Sequence, residues 1–123
     1  MKKILLGSAL VIALSVTALV GTAVAGDDEA SWTGEVVDLA CYVAKGAKGA
    51  DHAGCAKSCL KSGQPMGLLT DDGALVLLTA DHKDGAPYEA LKDMAGGKAV
   101  VIGTVSERDG MKVVTVTGSK AAA

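Results

Sequence analysis

Two Asp-Gly steps restrict the folds open to this chain. Asp72-Gly73 separates the apolar runs 66–70 and 74–79. Asp109-Gly110 separates the β-branched runs 98–106 and 111–117. Such steps supply the positive-φ residues that a tight hairpin wants, and the flanking runs have the length and composition of strands. A further run at 31–38 alternates, with Trp32, Gly34 and Val36 on one face and Thr33, Glu35 and Val37 on the other. It reads as a first strand.

Two short helices fit between these strands. Asp51 is a good N-cap for a helix over 52–61, and Gly63 suits its end. Gly54 inside it costs about 1 kcal/mol relative to Ala, so this helix needs a crosslink or a ligand to hold its place. Pro87 suits the first turn of a second helix through Ala95, with Tyr88, Leu91 and Met94 or Ala95 at helical spacing. Gly96-Gly97 stops it. The glycine-rich stretch 44–50 reads as a loop.

With the segment between the first two strands set aside, the order is β-β-β-α-β-β. That is the order of an OB-fold, a five-stranded Greek-key barrel. The expected fold is mainly β with two short helices: an OB-like barrel over 32–118, with a Cys/His-bearing helical insertion at 40–65 between strands 1 and 2. Gly103 marks a bulge or barrel bend. Residues 26–31 form a flexible lead-in and 119–123 a tail.

The first 25 residues read as a secretory signal. Met1-Lys2-Lys3 is followed by an apolar run from Ile4 to Val20, then by Ala23-Val24-Ala25, with cleavage expected after Ala25. The expected location is periplasmic or secreted, with no membrane span once the signal is removed. Of 12 basic and 14 acidic residues, Lys2 and Lys3 lie in the signal, so the mature chain carries a net charge of −4. That balance argues against nucleic acid as a partner. The only aromatic residues are Trp32, Tyr42 and Tyr88, too few for a stacking platform. The partner left is a metal ion or another periplasmic protein.

The chemistry concentrates between Asp38 and Cys59. This stretch holds all three cysteines, Cys41, Cys55 and Cys59, and His52. On a helix His52, Cys55 and Cys59 fall within about 60° of one another. With Cys41 they make a Cys₃His set, which suits Zn(II) and, through its soft thiolates, Cu(I). Lys57, Lys61 and the start of the helix would favour thiolate. Asp38 is placed to orient a ligating histidine from behind, or to cap a turn. His82 and Met66 are weaker candidates, the first a surface residue and the second a core methionine. The alternative is a disulfide. Cys55 and Cys59, with Cβ atoms about 5–6 Å apart on a helix, are too far apart for an unstrained bond of about 3.5–4.5 Å. Cys41 bonded to Cys55 or Cys59 would be the better staple, Cys41–Cys59 being the pairing taken, giving an OB-type binding module with no metal. A thiol redox protein is a third reading, weakened by the lack of a C-x-x-C pair.

The motifs Asp38-x-x-Cys41-Tyr42, His52-x-x-Cys55-Ala56-x-x-Cys59 and Gly63-x-Pro65 resemble those of a set of small exported bacterial proteins with OB-fold-like barrels. Gly97-Lys-Ala-Val-Val-Ile-Gly103 and Asp109-Gly-Met-Lys-Val-Val-Thr-Val116 look like the last two strands of that barrel. The resemblance implies the fold and a site at the cysteines, and brings no activity with it.

Overall fold

The computed structural model describes residues 28–123; the secretory-signal reading lies outside these residues. Five strands form a closed barrel in the order β1-β2-β3-β5-β4: β1 Ala30–Asp38, β2 Met66–Thr70, β3 Leu75–Ala80, β4 Lys98–Arg108 and β5 Met111–Ala121. All pairs are antiparallel except β3 with β5, which is parallel, and β1 closes the barrel by pairing with both β2 and β4. This is the OB-type barrel that the element order anticipates.

Alternation fills the interior. Val36, Leu68, Val76, Leu78, Val101, Val114 and Val116 form one buried cluster, joined by Met66. Met66 is thus a core side chain. The two hairpins form where the Asp-Gly steps lie. Asp109 and Gly110 both take positive φ, 52° and 83°, with Arg108 opposite Met111. A bulge falls between Ile102 and Gly103, where a Cβ on Gly103 would collide with the Thr115 carbonyl. β5 continues to Ala121, past the last β-branched residue, because Gly118–Ala121 still pair with β4.

The segment between β1 and β2 differs in detail from expectation. It opens with a helix that the sequence reading lacks, α1 (Leu39–Lys45), and continues through a 3₁₀ turn at Ala50–His52 into α2 (Ala53–Lys61). Asp51 lies inside that turn, and α2 is entered from His52 with no side-chain cap. The third helix, α3 (Ala86–Lys92), carries Pro87 in its first turn and buries Leu91.

The insertion is closed at its neck. Asp38 and Met66 are register partners, and the Leu39 N–H donates to the Pro65 carbonyl at 3.0 Å. Ala56 and Leu60, one turn apart on α2, enter the barrel core. Lys61 on α2 pairs with Asp93, just past α3, at 2.6 Å. The start of α2 rests on Gly96, whose φ is 79°. A Cβ there would meet the Ala53 Cβ at 2.5 Å. The Gly96 N–H in turn donates to the Val36 carbonyl at 2.9 Å, which ties this seam to β1.

Candidate metal centre

Two helix starts are brought together at the end of β1. Asp38, the last residue of that strand, is the N-cap of α1; its Oδ1 accepts from the Ala40 N–H at 2.9 Å. Cys41 is then the third residue of α1. In the same way His52 is the N-cap residue of α2 and Cys55 its third residue. The two D-x-x-C and H-x-x-C spacings are therefore one geometric device used twice, since cap and third-residue side chains lie side by side. Cys59 follows Cys55 by one helical turn. The loop between the helices is held by Glu35 on β1, whose Oε1 accepts from the Gly49 N–H.

The donor atoms gather in two sets. The sulfurs of Cys41, Cys55 and Cys59 all lie within 4.8 Å of one another. So do donor atoms of Asp38, Cys41 and His52. Cys41 is common to both. Each set has a spacing that could hold a metal ion. All three cysteines are free thiols, and the alternative Cys41–Cys59 bridge is not formed. His82 is exposed on the loop after β3 and belongs to neither set.

Two polar atoms in this region are enclosed without a well-formed hydrogen bond, Asp38 Oδ2 and His52 Nε2; only the thiols of Cys41 and Cys59, weak donors, approach the Asp38 carboxylate. Asp38 is only 1% exposed. A carboxylate this buried normally has a charged partner or a full set of donors. Here one oxygen is spent on the cap and the other faces the thiols.

The protonation of the cysteines departs from expectation. The Cys41 thiol is pushed up, first because the Asp38 carboxylate attracts its proton, then by partial burial and the charges of Asp38 and Cys55; Lys45 opposes this. Cys59 is pushed up to about 11 by partial burial, with hydrogen bonding to Cys55 and Asp38 adding to it. Lys61 does not lower these values because it is paired with Asp93, and Lys57 lies on that same side. Without a cation Cys41 and Cys59 are thiols, not thiolates. This disfavours a nucleophilic role and suits ligands that lose their protons to a metal.

Helix α1 and the burial of Asp38 are what sequence reasoning missed. The signal for α1 was present: an aspartate at the cap position, a basic residue at Lys45 and a glycine at 46, which takes φ 68° and donates to the Tyr42 carbonyl at 2.7 Å.

No protein-family model, curated protein or solved structure matches this chain. Among the described residues, no helix is long and apolar enough to cross a membrane.

Proposed function

We propose that this is an exported protein that binds soft or borderline metal, copper or zinc, with Cys41, His52, Cys55 and Cys59 as ligands. One observation carries the reading: three sulfurs from two different helices lie within 4.8 Å of one another. Sulfur ligands about 2.3 Å from a tetrahedral Zn(II) ion lie about 3.8 Å apart, inside that limit. Next to them the enclosed His52 Nε2 and Asp38 Oδ2 add a nitrogen and an oxygen donor, atoms of the kind a metal ion engages. The insertion thus acts as a metal-holding lid on an OB-type barrel, with a role in metal handling.

The test is metal content after purification under reducing conditions. Near-stoichiometric copper or zinc is expected, and its loss in the Cys55→Ser, Cys59→Ser double variant. A protein that stays metal-free when offered either ion and carries a bridge from Cys41 would instead be a stapled binding module.

A further inference from the structure

An ion on the three sulfurs leaves part of the centre unexplained. Asp38 Oδ2 and His52 Nε2 are both enclosed without a well-formed hydrogen bond, and only the weak thiol donors of Cys41 and Cys59 approach the Asp38 carboxylate. Asp38 takes part in no ion pair among the described residues. It also stands outside the sulfur set, sharing with it only Cys41.

One ion cannot readily serve all five side chains. Ligands of a tetrahedral ion sit about 2.0–2.3 Å from it, so they crowd within about 4 Å of one another. The five here divide instead into two groups of three.

Charge points the same way. Three thiolates and one carboxylate carry four negative charges. A single divalent ion leaves two of them uncompensated around a carboxylate that is 1% exposed. The lysines of α2 face Asp93, and the exposed Lys45 of α1 is the one lysine that acts on Cys41. A second divalent ion balances the four ligand charges.

We propose that the insertion holds two divalent metal ions of the zinc class, one on the sulfurs of Cys41, Cys55 and Cys59 and one on Asp38, Cys41 and His52, with the Cys41 thiolate bridging them. Cys41 is the one residue placed for this, and a deprotonated sulfur has lone pairs for both ions. Each thiol gives its proton to solvent as metal enters. Asp38 keeps Oδ1 for the helix cap and offers Oδ2 to the metal. The inference rests on the proposal that the cysteines bind metal, and goes beyond it in ligand set and stoichiometry.

Native mass spectrometry of the reduced full chain, titrated with Zn(II), reads the count directly. Wild type is expected to take two ions. Asp38→Asn keeps an oxygen for the α1 cap and His52→Ala removes a half-buried side chain outside the core, so both variants should fold and take one. Cys41→Ser should weaken both binding steps, as a shared ligand must. His82→Ala should still take two. Wild type stopping at one ion, or Asp38→Asn and His52→Ala both retaining two, overturns the paired centre while leaving the sulfur site standing. Failure of wild type to bind any zinc or copper sinks the metal reading as a whole.

Discussion

The barrel and the insertion are held by different forces. In the barrel, Val36, Leu68, Leu78, Val101, Val114 and Val116 are at most 2% exposed, and every strand is paired on both sides. In the insertion, α1 buries no residue and α2 buries only Ala56 and Leu60. Helices of 7 and 9 residues are too short to hold their shape alone. Beside that small apolar contact, the insertion has a knot of donors, completed by Asp38 at the end of β1. Order in the barrel comes from its own side chains. Order in the insertion depends on what those donors grip.

Metal removal should expose this contrast most strongly, since structural zinc sites in small domains supply about 10–16 kcal/mol of apparent binding energy at neutral pH. Chelation is expected to speed amide hydrogen exchange across 39–65 while the central barrel strands keep their protection. Equal loss of protection in both regions would show that they are one cooperative unit. Next comes the seam. Leu60→Ala should cost about 2–5 kcal/mol in urea unfolding, as much as Leu68→Ala inside the barrel, because both side chains are fully buried in one cluster. A much smaller cost for Leu60→Ala would mean that α2 is only loosely seated. Gly96→Ala should cost about 1–3 kcal/mol, from its positive φ and the collision with Ala53. It should also weaken metal binding by displacing the start of α2.

The smallest effect concerns pH. The ordinary thiol value is 9.0, and the folded protein raises Cys59 to about 11. The folded, metal-free state therefore holds this proton more tightly than the unfolded chain does. Its contribution to stability is complete below about 9 and is lost as pH rises toward about 11. Melting of the reduced, metal-free protein between these pH values should show the slope, and Cys59→Ser should flatten it. An unchanged slope in the variant would assign it to other groups.

The same division decides what could be read in advance. The barrel was legible because its signals are local and redundant: period-two alternation, two Asp-Gly turns, and a glycine where the backbone bends. Pro87 and Leu91 likewise announced α3. The site was legible in composition, since its four Cys and His residues sit close in sequence. Its arrangement was not. Whether Asp38 ends a strand, caps a helix or faces sulfur depends on how α1 folds back on β1, and no periodicity records that. The lysines of α2 misled for the same reason. Their position on the helix was clear, but the partner that draws Lys61 away, Asp93, comes from the far side of α3 in the chain.

The neck has a practical corollary. Because Asp38 and Met66 already face each other as neighbours in the sheet, everything between them resembles a cassette clipped into an otherwise continuous hairpin. Excising 39–65 in favour of a short turn should yield a plain barrel, once polar residues replace the surface that α2 covers. Grafting the segment onto another five-stranded barrel would require carrying the aspartate along, since the host strand supplies that donor.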